Sequence, residues 1–69
     1  MHISVIINGQ HMDLPEEVKS VAQLLEWRHI PVSGTAVALN SRLVTAAQHA
    51  ATMLNHGDVI TIISAAYGG

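Results

Sequence analysis

The chain has 69 residues, 49% of them apolar, a formal net charge of −2 and no cysteine. That length is one domain near the lower limit for a self-supporting core, where roughly 60% of the unfolded surface can be buried, and the lack of cysteine excludes disulfides and thiolate-bound zinc as staples. The only basic residues, Lys19, Arg28 and Arg42, are scattered along the chain, which argues against nucleic acid as a partner, because phosphate neutralisation needs clustered cations.

Ile3 to Ile7 is a β-branched apolar run, followed at once by Asn8-Gly9. Asn-Gly is the preferred centre of a type I′ turn because both residues tolerate positive φ, so the run is expected to return as a second, more polar strand from Gln10 to Leu14. Pro15 ends that strand, since proline cannot donate to a ladder. Ser20 to His29 reads as a helix. Ser20 and Gln23 form an S-x-x-Q capping box, Val21, Leu24 and Leu25 share one apolar face, Trp27 lies at its flank, and Pro31 stops it.

Gly34 precedes a third strand, Thr35 to Asn40, in which Val37 and Leu39 alternate with Ala36 and Ala38. Asn40-Ser41 is a turn signal, and Arg42 to Val44 is a short edge strand. The Ala-rich stretch Ala46 to Leu54 is expected to form a short helix or 3₁₀ segment, closed at Gly57 by a left-handed cap. Asp58 to Ser64 is the last strand, with Ile60 and Ile62 on one face and Val59, Thr61 and Ile63 on the other.

The first and last strands are apolar on both faces, the pattern of central strands buried on both sides. Pairing them in parallel at the centre, with the helix across one face, gives an α+β fold of the ubiquitin-like β-grasp type. Its mixed sheet of four to five strands would pack on one main helix. The expected division is a β-grasp domain over residues 1–64 and a flexible C-terminal tail over 65–69. With only Trp27 and Tyr67 aromatic, the core must be aliphatic.

Conventional catalytic arrangements are missing. The serines, Ser4, Ser20, Ser33, Ser41 and Ser64, show no recognisable nucleophilic triad, and Glu16-Glu17 reads as a solvated pair before the helix. None of the five histidines (His2, His11, His29, His49 and His56) has the i, i+4 spacing of a helical zinc pair, so no metal site is expected. Gly34 belongs to no phosphate-binding glycine signature, and no nucleotide site is expected on this chain. No apolar run approaches the ~20 residues that span a bilayer, and the N-terminus lacks the layout of a signal peptide. A cysteine-free chain also suits a reducing compartment, so the expectation is a soluble, cytoplasmic protein without a membrane partner.

The remaining feature is Gly68-Gly69, which ends the sequence. With glycine at about 7% of average usage, such a pair arises by chance in roughly 1 chain in 200. Residues 65–69 reach at most ~17 Å from the last strand. A carboxylate is a poor electrophile and must be activated, most simply as an acyl-adenylate made at a partner's ATP site. Glycines without Cβ atoms let a tail thread a narrow channel and leave its carbonyl open to attack.

Val37-Ala38-Leu39-Asn40 with Leu43-Val44, then Leu54-x-x-Gly57-Asp58-x-Ile60-x-Ile62, and finally Gly68-Gly69, resemble the ThiS family of sulfur carriers of thiamine biosynthesis. The resemblance extends to the Asn8-Gly9 turn and the Val21-x-x-Leu24-Leu25 helix. It implies that Gly69 is the modified residue, as adenylate and then thiocarboxylate, that Gly68 keeps the tail slim, and that the chain is a carrier rather than an enzyme, with no catalytic residue of its own. The implied partners are a ThiF-like E1 adenylyltransferase using ATP, a sulfur-relay protein, and a ThiG-like thiazole synthase; no cofactor is bound by the chain itself. Asp58 of the Gly-Asp pair is expected to shape the turn into the last strand. Thr45 and Gln48-His49 stand where the family often has a proline and an aromatic residue, and Tyr67 is bulkier than the usual residue before the glycines.

Three other classes are compatible with such a tail. They are a carrier of the molybdopterin synthase small-subunit type, a ubiquitin-like protein modifier, and an interaction module whose tail is idle. For docking, the sheet face away from the helix is expected to present Val59, Thr61 and Ile63 to the activating enzyme, because exposed apolar patches commonly mark interfaces.

Overall fold

The structure, a computed structural model, describes residues 2–64. The expected tail, residues 65–69, lies outside them. The first hairpin pairs β1 (Ile3–Ile7) with β2 (Gln10–Leu14) in antiparallel register, from Ile3 opposite Leu14 to Ile7 opposite Gln10. Its two-residue turn has Asn8 at φ 49° and Gly9 at φ 82°, the pair of positive angles that a type I′ turn requires and that this dipeptide tolerates.

The helix α1 (Val21–Trp27), the one α-helix among the described residues, starts as the capping box dictates. Gln23 N–H donates to Ser20 Oγ (3.2 Å), while Gln23 Oε1 accepts from the backbone of Ser20 (3.2 Å) and Lys19 (2.8 Å). The helix is shorter than the expected span to His29. Arg28 caps it, His29 sits at φ 57°, and the His29 and Ile30 N–H groups return to Glu26 and Leu25 carbonyls. This is a Schellman closure with histidine in the left-handed position usually held by glycine, so the stop precedes Pro31. Trp27 keeps to the flank, 36% exposed, with the Arg28 guanidinium 5.9 Å from its ring centre.

The second half of the sheet comes from β3 (Thr35–Leu39) and β4 (Arg42–Val44), joined by a tight turn with Asn40 at φ 51° and Ser41 at φ 69°. The Ala-rich stretch yields only one 3₁₀ turn, Ala46–Gln48. The reason lies in where its carbonyls point. His49 and Thr52 accept the N–H groups of Ala22 and Val21, and Leu54 N–H donates to Lys19. The first-turn donors of α1, which have no partner inside a helix, are thus satisfied by this segment rather than by water. Carbonyls turned toward α1 are not aligned along an axis of their own, as a continuing helix would need. Gly57 has the expected positive φ, 88°, yet it caps no helix; its N–H donates to Ser4 and ties the loop to β1.

The chain returns in β5 (Val59–Ser64), parallel to β1 and antiparallel to β3, giving the sheet order β2-β1-β5-β3-β4. Val5, Ile7, Leu14, Val37, Ile60 and Ile62 from the sheet meet Val18, Val21, Leu24 and Leu25 from the helical layer in one core. This is the ubiquitin-like β-grasp, a five-stranded mixed sheet on one helix.

The expectation that β1 and β5 are buried on both sides is corrected. β5 alternates strictly: Ile60, Ile62 and Ser64 are buried, and Val59, Thr61 and Ile63 are exposed. One seven-residue helix supplies cover for one face only, so the β-branched residues of the other face are left at the surface.

Candidate functional site

Because β5 is the last described element before the terminal glycines, its two ends and its open face make up the candidate site. The strand is entered through an exposed turn, Asn55 to Gly57, closed by a buried Asp58. Asp58 is 8% exposed; its Oδ2 accepts the Asn55 N–H at 2.7 Å and its Oδ1 accepts Asn40 Nδ2 at 3.0 Å. Asn40 Oδ1 in turn accepts the Val59 N–H at 2.9 Å, and the Asn40 N–H donates to the Val59 carbonyl at 2.7 Å. A buried carboxylate needs such partners. Both its oxygens are engaged in shaping the turn, as expected of a structural Asp58.

At the far end, Thr35 Oγ1 donates to Ser64 Oγ (3.1 Å), and Asn8 from the first hairpin turn bonds to both backbone groups of Ile62, with Ile62 N–H donating to Oδ1 (2.8 Å) and Nδ2 donating to the carbonyl (3.1 Å). Beside this end runs an open groove of about 460 Å³, lined by Asn8, Arg28, Ile30, Ile62, Ile63 and Ser64 among others.

The sequence-predicted docking residues share one face. Val59 is 45% and Ile63 64% exposed, with Thr61 exposed between them. The register extends this face beyond β5: Ile63 lies opposite Ala36, Thr61 opposite Ala38, Val59 opposite Ile6, and Ala38 opposite Leu43. Leu43, 70% exposed, is the largest addition that the sequence reading missed, as it read β4 only as an edge. Its signal was the alternation Arg42-Leu43-Val44, in which Val44 takes the buried position. The margin toward β2 is polar, where Ser4 Oγ donates to Asp13 and His11 stands opposite Ile6.

The histidines do not converge: among the described residues no three His, Asp or Glu side chains are placed to hold a metal ion. His56 Nδ1 accepts the Ser4 N–H at 3.0 Å and His2 Nδ1 lies 3.2 Å from the Leu14 carbonyl. His49 is buried beneath the 3₁₀ turn. Tyr67, Gly68 and Gly69, the predicted tail and modification residues, lie outside the described residues. None of the described helices is long and apolar enough to cross a membrane.

Comparison with known proteins places this geometry. No functionally curated protein matches the chain. Among solved structures it is similar to the thiamine biosynthesis protein ThiS from Geobacter metallireducens, with 19% identity, a TM-score of 0.79, and coverage of 90% of this chain and 93% of that one. At that identity the likeness speaks for the fold. The model of the ThiS family matches residues 5–69, from inside β1 to the final glycine. A match over nearly the whole sequence assigns the protein: it belongs to the ThiS family.

Proposed function

We propose that this chain is a sulfur carrier of thiamine biosynthesis and that Gly69 carries the sulfur. Its carboxylate attacks the α-phosphorus of ATP in the site of a ThiF-like E1 adenylyltransferase, releasing pyrophosphate and leaving an acyl-adenylate. The terminal sulfur of a relay protein's persulfide then attacks the acyl carbon and displaces AMP, which takes one of the two carboxylate oxygens with it. A second thiol cleaves the resulting acyl disulfide, leaving a disulfide on the relay side. The resulting thiocarboxylate gives its sulfur to a ThiG-like thiazole synthase. The chain is a recyclable co-substrate with no catalytic residue of its own.

The observation that carries this reading is the family match running through Gly69, on a β-grasp body whose last strand ends at Ser64, five residues earlier. Two further features support it. The open face with Val59, Thr61, Ile63 and Leu43 is an apolar surface of the kind that marks interfaces, and it is the face on which the activating enzyme docks. Gly68 keeps the approach to Gly69 free of side chain.

Intact-mass spectrometry tests the reading. The protein is incubated with ATP, an E1-like activating enzyme and a sulfur source. Exchange of one terminal oxygen for sulfur, abolished by deleting Gly69, is the expected result. A stable adduct to lysines of other proteins would instead identify a modifier. No change in mass with competent partners would sink the carrier role.

A further inference from the structure

The parallel ladder between β1 and β5 ends at Ile60, four residues before β5 does. Ile6 N–H donates to Asp58 and Asn8 N–H donates to Ile60, both at 2.9 Å. In a continuing parallel ladder the next two rungs would join the Ile62 N–H to the backbone carbonyl of residue 8, and the Ile62 carbonyl to the backbone N–H of residue 10. Neither backbone group is available, because the chain turns at Asn8 with φ 49° and Gln10 already belongs to β2.

The side-chain amide of Asn8 takes both places. Its Oδ1 accepts the Ile62 N–H at 2.8 Å and its Nδ2 donates to the Ile62 carbonyl at 3.1 Å. A carboxamide presents one acceptor and one donor side by side, which are the two groups that a strand edge offers in sequence. Asn8 therefore substitutes for two missing rungs, two residues before β5 ends. Past it, on the β1 side, the strand borders the open groove with Arg28 and Ile30.

The geometry points to Asn8 as a positioning residue for the carrier terminus. Its clamp on Ile62 fixes the β1-side edge of β5 two residues before the described strand ends, while the ladder to β3 holds the other edge through Ser64. This rests on the carrier reading above. It assigns Asn8 a role separate from the turn, for which positive φ alone suffices. A terminus held at a defined root enters a partner's channel with fewer orientations to lose, which lowers the barrier to reaction rather than strengthening docking.

The turn and the clamp can be separated, because glycine adopts positive φ without strain. Asn8→Gly keeps the hairpin and removes the amide. Asn8→Asp keeps the Oδ1 acceptor and loses the donor. In the free protein, amide exchange at Ile62 is expected to accelerate about tenfold or more in Asn8→Gly, with faster backbone motion at Ser64 by nitrogen relaxation, while exchange at Met12 in the hairpin stays unchanged. Asn8→Asp should retain much of the Ile62 protection. In adenylation assays, kcat for Asn8→Gly is expected to fall about five- to tenfold with KM for the carrier held within about twofold, and Asn8→Asp should recover part of it.

Unchanged exchange at Ile62 and unchanged relaxation at Ser64 would overturn the clamp. A wild-type kcat in Asn8→Gly would overturn the positioning role even where exchange rises, as would a change confined to KM. If the unmutated protein is never adenylated, the carrier reading fails on its own, and the amide measurements still decide whether Asn8 fixes the end of β5.

Discussion

The two ends of β5 are held in opposite styles. At its start, a buried carboxylate, two backbone N–H groups and the Asn40 amide lock Asp58 and Val59 in place. At its end, the exposed Asn8 holds Ile62 through two hydrogen bonds, and Ser64 adds one hydroxyl contact. Both ends use an asparagine at positive φ in a neighbouring hairpin turn, Asn40 and Asn8. The difference is charge, not burial: the start is built around the carboxylate of Asp58, 8% exposed, and the end around neutral amide and hydroxyl groups, with Ser64 5% exposed. Removing the Asp58 carboxylate strands two polar groups at the start. At the end, the antiparallel ladder to β3 runs through Ile62, Ile63 and Ser64, so Asn8 secures the one edge of β5 that this ladder leaves open.

That contrast is open to a graded set of substitutions. The largest effect should come from the middle of the strand, which both ends share. Ile60 is fully buried, and Ile60→Ala should cost about 3–4 kcal/mol by denaturant unfolding. This is a large share of the roughly 3–10 kcal/mol that a domain of this size has to lose. At the start of the strand, Asp58→Ala leaves the Asn55 N–H and Asn40 Nδ2 without their acceptor and should cost about 2–3 kcal/mol. At its end, Asn8→Gly should cost only about 1 kcal/mol, because no charged group is involved and the Ile62 backbone is left beside the open groove. A cost for Asn8→Gly equal to that of Asp58→Ala would erase the proposed difference between the ends.

Gly57→Ala probes the turn into β5 from the backbone side. A Cβ there meets nothing within 4 Å, so the loss should be about 1 kcal/mol, arising from the positive φ alone. A much larger loss in thermal unfolding would mean that the loop between Gly57 and Ser4 depends on more than backbone conformation. The smallest stability effect belongs to the open face. Ile63→Asp should change unfolding free energy by no more than about 0.5 kcal/mol, yet it should weaken adenylation by the activating enzyme. Leu43→Asp should act in the same direction if the docking surface crosses the sheet to β4. Unchanged adenylation rates with the fold intact would remove this face from the interface.

Much of the fold was legible from local chemistry. Asn8-Gly9 and Pro15 bracketed β2, Ser20 and Gln23 marked the helix start, and the β-branched alternation in β5 separated Ile60 and Ile62 from Val59, Thr61 and Ile63. Each of these rests on residues within a few positions of one another. The misreadings were of another kind. The helix ends at Trp27 because His29 accepts a left-handed conformation, and the Ala-rich run stays mostly non-helical because its carbonyls serve the start of α1. The first cause is local but unmarked, because histidine stands where glycine usually signals such a stop; the second lies outside the segment it affects. Of the site, the docking triplet on β5 was legible as a strand face, whereas Leu43 joined it only once β4 was placed at the register of β3.

What the sequence by itself determined is the β-grasp order of elements, the aliphatic core and the resemblance to the ThiS family, because turn dipeptides, capping residues and hydrophobic period are local and survive without knowledge of contacts. Tertiary structure decided which face of the central strands stays open and how the last strand is secured. The bonds from Asn8 to Ile62 span 54 residues of chain, and those of Asn40 to Asp58 and Val59 span 18 and 19. An asparagine in a turn looks the same in sequence whether its amide meets water or a strand edge; only the folded sheet brings the edge to it.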